Sequence, residues 1–554
     1  MFDKKGSFEL ETTVIEETVD LRTMKIGVNE TPNYFFQLDN HGSVAWVVAR
    51  TCDHRHGKLS LHDDGEYAIC PRHGWKLALR NLRYTNIDLV KPRVNFSVKN
   101  DLLKINDTQN RLCVPKLFRT EQPNEIKIRF ISHACLAITI DDFTIISDPW
   151  IVGPAVRNSW WHSLVPRDDA LDILFHADLV FISHNHSDHL NYETLSVLVK
   201  SRRSIPFIFP NWESESVGRI LAGWGFTELF PAEIGKIYQV SNVLLSVFES
   251  GDFKEDGGLY FSAGNFSGLL TADSAILNQL VLPEVDFLAT GFFGNASAYP
   301  WCFDNLSAKE KRRITIRGAW AAREELRDYV ETTNATYVLP YAGYSILNLP
   351  HDRYLRENTI GNSLLDIKNL IQKIDEKKVC IEPTPSLVAH FNSDKQFTII
   401  EDTKGPLYDL DDKFMQQFIE EEEVESANYS EDYVIKYFEE SNYQDNLILY
   451  LIPTDVEFQE RSMGFIINFS GPRVRVNLVS RQVLNHQYEF ADEANFRHLF
   501  IRTRQSPFWK TINDRRPWGE FMYHCRIHRK PNIYNAGFWE HFSNIFIMPN
   551  DNVL

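Results

Sequence analysis

Between Ile182 and Leu190 the chain reads Ile-Ser-His-Asn-His-Ser-Asp-His-Leu, an H-x-H-x-D-H pattern. It places His184, His186, Asp188 and His189 within six residues. Neutral imidazole and carboxylate are ligands that suit zinc, iron and related divalent ions. Buried together without an ion, four such groups would leave one another poorly satisfied. The pattern directly follows the apolar run Ala177-Asp178-Leu179-Val180-Phe181-Ile182, which predicts a buried strand. A strand ending there would deliver all four groups into one small volume. A solvated histidine-rich loop is the bland alternative; it suits two scattered histidines better than this spacing.

A second set lies near the amino terminus. Cys52-Asp53-His54 and Cys70-Pro71-Arg72-His73-Gly74-Trp75 read C-x-H, fifteen intervening residues, then C-x-x-H. Two loops so spaced could give two thiolates to one iron and two imidazoles to another, the ligation of a Rieske [2Fe–2S] centre. A Cys₂His₂ zinc site is the rival. Gly57 and Gly74 favour the cluster, because glycine permits tight loops whose backbone N–H groups approach the sulfides. His56 and His62 are off pattern and read as surface or supporting residues.

These sets need elements to hold them. Residues 1–110 read as a small, mostly β domain, with segments such as Tyr34–Leu38 and Val44–Val48 set apart by turn residues. A polar connector, Asn106–Asn110, leads to a second domain at 120–380, in which strand-like and helix-like segments alternate as in a layered α/β (αββα) sandwich. The H-x-H-x-D-H loop resembles the metal-binding signature of the metallo-β-lactamase fold. His133 and Asp148 each end a predicted strand where a metal site in that fold would lie. Tyr192–Lys200 reads as an amphipathic helix. Asp273 closes another apolar strand and is the preferred acidic ligand; Asp252 is a ligand candidate or a turn residue. Gly291–Ser297 could offer backbone donors to an anion. Lys309, Lys311, Arg312, Arg313 and Arg317 read as a solvated helix face or an anion site. Pro340–Tyr344 ends a strand that faces the same pocket. Residues 381–554 form a C-terminal α+β region with an acidic exposed stretch, Asp409–Glu425, and an aromatic, helical end, Trp509–Phe546. No catalytic pattern is evident there.

With 554 residues, two to four domains are expected. A net charge of −17 disfavours a general nucleic-acid binder. No apolar run is long enough to span a bilayer, and Met1–Leu21 lacks the apolar core of a secretory signal, so a cytoplasmic protein without membrane insertion is expected. Seven scattered cysteines make no disulfide framework. Cys113, Cys135, Cys302, Cys380 and Cys525 read as small buried residues.

A Rieske cluster moves single electrons, which a hydrolase does not need. Its pairing with a His/Asp site points to a redox-active ion, iron before zinc, and to reductive O₂ activation. The chain is similar along nearly its whole length to the CMP-N-acetylneuraminate hydroxylase family. The similarity is carried by the Rieske loops, Ser132-His133-Ala134-Cys135, Asp148 to Ala155, Trp160-Trp161, Ile182 to Leu190, Pro340 to Tyr344, and the tail from Asn532-Ile533-Tyr534 through Phe538 to Phe542. The resemblance implies a Rieske-dependent monooxygenase that draws electrons ultimately from NAD(P)H through a cytochrome b5-like or ferredoxin-like donor. It implies a small-molecule substrate, CMP-N-acetylneuraminate or a related metabolite, and one or two iron ions held by His184, His186, Asp188, His189 and Asp273. Where the family carries an imidazole before the Asp273 strand, this chain has Asp252. Near Pro350 a family histidine is replaced by Leu349, with His351 beside it. Two other readings stand next to the oxygenase: a metal-dependent hydrolase with a regulatory Rieske domain, and an electron-transfer or redox-sensing module.

Overall fold

The computed structural model describes residues 2–53, 57–72, 74–85, 89–251, 254–401, 404–533 and 535–543. His54, His73 and Asp252 lie outside them.

Two eight-stranded sheets pack face to face at the centre. In the first, the order runs Leu229–Ala232, Phe207–Pro210, Leu179–Phe181, Phe143–Ser147, Cys135–Ile140, Glu125–Ser132, Leu387–Asn392, Phe397–Glu401. The second runs from Asp3–Ser7 through Lys236–Val240, Val243–Glu249, Gly257–Ala263, Phe266–Leu270, Phe287–Gly291 and Tyr337–Tyr341 to Val379–Cys380. Their facing sides share one apolar core, in which Ile128, Leu179 and Phe181 of the first meet Leu245, Leu259 and Phe287 of the second. Helices Ala170–His176, Tyr192–Ser201 and Ser216–Gly223 cover the outer face of the first sheet. Helices Ala308–Thr333 and Leu364–Ile374 cover the second. This is the expected αββα order, with its first sheet continuing past residue 380 to Glu401 because Leu387–Asn392 pairs with Glu125–Ser132.

The amino-terminal part is mostly β among the described residues, in three small antiparallel sheets with a 3₁₀ turn at Leu21–Thr23. The expected connector Asn106–Asn110 is instead the middle of strand Leu102–Cys113, paired residue for residue with Glu9–Asp20. Polar residues suit this strand because both its faces are largely exposed there. Asp3–Ser7 leaves this part and joins the edge of the second central sheet.

The C-terminal part has a mixed five-stranded sheet, ordered Arg475–Ser480, Met463–Asn468, Leu447–Thr454, Arg497–Arg504, Cys525–Lys530. The expected helical end is broken up: helix Gln505–Asn513, a 3₁₀ segment Trp518–His524, strand Cys525–Lys530 and helix Ala536–Ser543. Alternating burial along Cys525–Lys530 is a strand's period, hidden in the sequence by arginine and histidine at the outward positions. The acidic stretch is also not merely exposed. In helix Asp412–Ser426, Phe414, Met415 and Phe418 pack on Trp161, and Glu422 is buried.

One large apolar cluster joins this region to the sandwich, bringing Trp150, Val156, Trp160 and Phe303 against Trp518, Phe521, Tyr523 and Ile527. Burying such rings at about 1.5–3 kcal/mol each makes this a firm junction. Among the described residues, no helix is long and apolar enough to cross a membrane.

Candidate metal centre and its cavity

Strand Leu179–Phe181 lies in parallel between Phe143–Ser147 and Phe207–Pro210, and all three of its residues are buried. Apolar on both faces, it matches the near-continuous hydrophobic run expected of a central parallel strand. The chain leaves it at Ile182, whose N–H donates to Ile208 O at 3.0 Å. A compact loop follows, closed by His189 and Leu190 N–H groups donating to His186 O. Asn191 then caps the next helix, its side chain accepting from Thr194 N–H.

Two groups of ligand atoms converge here, each within 4.8 Å: His133, Asp188 and His189, and His184, His186 and Asp273. His189 Nε2 lies 3.4 Å from Asp188 Oδ2 and 3.5 Å from Asp273 Oδ1, yet makes no hydrogen bond. His184 Nε2 and His186 Nδ1 are 2.9 Å apart. Ligands about 2.1 Å from one ion, at angles near 90–110°, stand roughly 3.0–3.4 Å from each other. The spacing and the orphaned His189 nitrogen therefore fit a divalent ion.

Asp148 orients this set. Its carboxylate accepts from Ser183 N–H at 2.7 Å and from Ser183 Oγ at 2.8 Å, and it lies 2.9 Å from His189 Nδ1. With its proton held on Nδ1, His189 turns Nε2 toward Asp188 and Asp273, the carboxylate–histidine arrangement common behind metal ligands. His133 completes the first group. Its Nδ1 accepts from Tyr344 N–H at 3.2 Å, which turns Nε2 toward Asp188 Oδ2, 3.3 Å away and, like His189 Nε2, without a hydrogen bond among the described residues. Tyr341, at the end of strand Tyr337–Tyr341, accepts from Ala272 N–H at 2.7 Å and so positions the neighbouring Asp273.

The electrostatics follow from these contacts. Burial would raise Asp188, but His189 and His133 override it and hold the carboxyl well below the usual range. Burial would lower His189, but Asp188, Asp273 and Asp148 raise it well above normal. Burial, with His189 and His186 nearby, keeps the His184 imidazole neutral.

The centre opens on a cavity of about 810 Å³. His186, Asp188 and Asp273 stand on one wall, and Trp160, Tyr523 and Arg529 contribute to others. Asp256, buried and 3.9 Å from His184 Nε2, also faces it. So do Ala296 and Ser297, at the end of the glycine turn predicted at 291–297, and Ala298 just beyond it. Asp256, Glu520, Tyr523 and Arg529 carry no motif; only the fold brings them here. Of the other candidates, His351 joins neither ligand group and lies beside Asp352, 3.7 Å away, with burial lowering it to about 4. Lys309, Arg312 and Arg313 form the solvated helix face expected, whereas Lys311 is buried with Nζ donating to Trp301 O.

The cysteine loops converge as well. Cys52 and Cys70 are both fully buried in one cluster with Leu59, Leu77 and Tyr84. Cys52 N–H donates to Gly57 O and Cys70 N–H to Trp75 O, closing two tight loops. A Cβ on Gly57 would stand 2.7 Å from Cys70 Sγ, so the first loop presses directly on the second. Asp53 is clamped by Lys91 Nζ at 2.9 Å and the Tyr84 hydroxyl at 2.7 Å. His62 is exposed, as expected. Cys135, Cys302 and Cys525 are buried, and Cys113 and Cys380 partly so.

Comparison with known proteins agrees with this layout. The family model described as beta-lactamase superfamily domain matches residues 127–364. The cytidine monophosphate-N-acetylneuraminic acid hydroxylase of Danio rerio is 26% identical over 95% of this chain and 92% of its own length. That of Mus musculus is 26% identical over 98% and 97%. Among solved structures, the diiron beta-hydroxylase CmlA from Streptomyces venezuelae matches at 16% identity and a TM-score of 0.34, covering 49% of this chain and 54% of that one; a likeness this remote carries no functional argument. Residues 127–364 thus match the beta-lactamase superfamily domain, in a chain that resembles, over nearly its full length, the cytidine monophosphate-N-acetylneuraminic acid hydroxylases.

Proposed function

We propose that the protein is a Rieske-dependent monooxygenase that hydroxylates CMP-N-acetylneuraminate to its N-glycolyl form or acts on a related metabolite. In this reading residues 1–110 are the Rieske domain, with Cys52, His54, Cys70 and His73 as cluster ligands. Residues 120–380 are the catalytic domain, where His184, His186, Asp188, His189 and Asp273 hold one or two iron ions, and 381–554 complete the cavity. The observation that carries it is the coexistence of two buried, abutting cysteine loops with a His/Asp centre that opens on a substrate-sized cavity. The relatives' printed names support the same reaction class.

When bound, the cluster and iron supply the one-electron chemistry that reductive use of O₂ requires and that zinc lacks. The chain's own contribution is then positional. Asp148 holds His189, and Trp160 and Tyr523 line the cavity. Burial keeps the Tyr523 hydroxyl protonated, so it can donate to a substrate oxygen. Arg529, buried and stacked 4.4 Å over Phe303, offers a cation for a phosphate or carboxylate. Electrons would arrive from NAD(P)H through a cytochrome b5-like or ferredoxin-like protein.

The test is turnover of CMP-N-acetylneuraminate with a reducing donor under ¹⁸O₂, followed by mass spectrometry. One labelled oxygen in the product is expected, with turnover abolished under anaerobic conditions and in His73→Ala. The beta-lactamase superfamily domain itself favours a second reading, a metal-dependent hydrolase with a regulatory cluster domain. Product formation that continues without O₂ or reductant would establish that reading instead.

A further inference from the structure

Ser187 sits between the ligands His186 and Asp188, and its three polar groups are all committed. Its Oγ accepts from Val156 N–H at 2.8 Å, its carbonyl accepts from Asn191 Nδ2 at 3.1 Å, and its N–H donates to Glu520 Oε1 at 3.0 Å. The first two partners belong to the sandwich. Glu520 comes from the C-terminal region, more than three hundred residues away in sequence. It is 2% exposed, and its second oxygen makes no hydrogen bond among the described residues. The preceding residue, Gly519, lies against the ligand ring itself, for a Cβ there would stand 3.6 Å from His186 Nε2. Trp518, fully buried with Nε1 donating to the Tyr437 hydroxyl at 2.8 Å, anchors the segment.

We propose that Glu520 is a positioning residue for the metal centre, and that its bond to Ser187 N–H sets the affinity of the His184–His189 loop for its divalent ion. The C-terminal region is then part of the metal site and not only a wall of the cavity. The physical reason is register. Ser187 N–H is the one backbone donor between two ligands, and holding it fixes both side chains at once. A buried carboxylate is costly unless it is bonded or faces positive charge, and Glu520 does both: Arg157 and Arg516 lie within its field. The inference rests on the metal reading of the cluster and not on the reaction assigned to it.

The experiment is anaerobic titration of the full-length chain with Fe²⁺ and with Co²⁺, followed by dialysis and metal analysis, for wild type, Glu520→Gln, Glu520→Met and Glu520→Ala. Loss of such an outer hydrogen bond typically costs about 10–100-fold in metal affinity, and that is expected for Glu520→Ala. Glu520→Gln keeps an oxygen for Ser187 N–H and is expected to stay near wild type, whereas Glu520→Met, of similar size but without an acceptor, is expected to lose affinity as Glu520→Ala does. Wild-type affinity in Glu520→Met would make the role space-filling and overturn the proposal. Equal affinity in wild type and Glu520→Ala overturns the proposal. So does an equal loss in Glu520→Gln and Glu520→Ala, which would make the charge and not the hydrogen bond responsible. A wild-type chain that binds neither ion would overturn the metal reading itself.

Discussion

Arg72 reaches from the Cys70 loop to Asp328, in the C-terminal third of helix Ala308–Thr333, and their charged groups meet at 2.5 Å. The guanidinium is almost fully buried and the carboxylate mostly so, which ties the amino-terminal β part to the second sheet's outer helix. Burial raises the Asp328 carboxyl to about 6, against the opposing pull of Arg72. A carboxyl held above its unfolded value of 3.8 stabilises the fold fully below that value and loses the contribution as pH rises through about 6. At about 1.4 kcal/mol per unit, the loss is on the order of 3 kcal/mol. Asp328→Asn should flatten the fall in stability across this window, read from thermal unfolding of both proteins at stepped pH. Parallel curves for the two would refute the assignment.

The contact of Gly57 with Cys70 makes a second expectation. A methyl group on Gly57 would stand 2.7 Å from Cys70 Sγ and 2.9 Å from Arg72 Cγ, so one loop must give way. Overpacking of this kind costs about 1–3 kcal/mol. If the amino-terminal loops hold the proposed cluster, Gly57→Ala should lower its iron and sulfide content and visible absorbance, while metal uptake by the proposed histidine site is retained. A variant with the full wild-type spectrum would remove the case for two abutting ligand loops.

Asp148 should matter to metal binding although it is not itself expected to be a ligand. In Asp148→Asn the acceptor facing His189 Nδ1 can become an amide donor, and the imidazole then no longer keeps its proton on that nitrogen. A loss of about 10–100-fold in affinity for Fe²⁺ is expected, with the fold intact by circular dichroism. Unchanged binding would mean that His189 is oriented by other contacts.

Glu422 titrates where few carboxyls do. Burial raises it to about 7, although Arg157, Lys510 and Arg516 all pull it down. Its contribution to stability is complete below the unfolded value of 4.5 and disappears as pH rises through about 7. Glu422→Gln, which retains an acceptor for Asn158 Nδ2, should therefore gain on wild type as pH rises from about 5 to 8. Melting temperatures of the pair across that range decide it; a constant difference would count against a titrating Glu422.

Much of the site was legible from local sequence. The H-x-H-x-D-H loop follows a run of apolar residues long enough for one buried parallel strand, and at the end of that strand the loop's histidines and carboxylate come together. Asp273 and Asp148 were readable for the same reason, since each follows an apolar strand whose end is fixed by its own composition. Tyr192–Lys200 matched because the apolar spacing of a helix is set by its period, whatever packs on it. Misreadings fell where local composition and tertiary environment part company. Asn106–Asn110 is polar because its strand is exposed, not because it is a linker, and Glu422 is buried by Arg157 and its neighbours despite the acidic run around it.

Residue types and spacing along the chain determined which groups could bind an ion and which strands would carry them, because periodicity and ligand chemistry are properties of a few neighbouring residues. Only the tertiary structure decided that Glu520 bonds Ser187 N–H, that His133 lies against Asp188, and that Arg72 finds Asp328. Those pairings depend on how sheets and helices distant in sequence are stacked, and an isolated glutamate, histidine or arginine carries no mark of the partner that packing will bring to it.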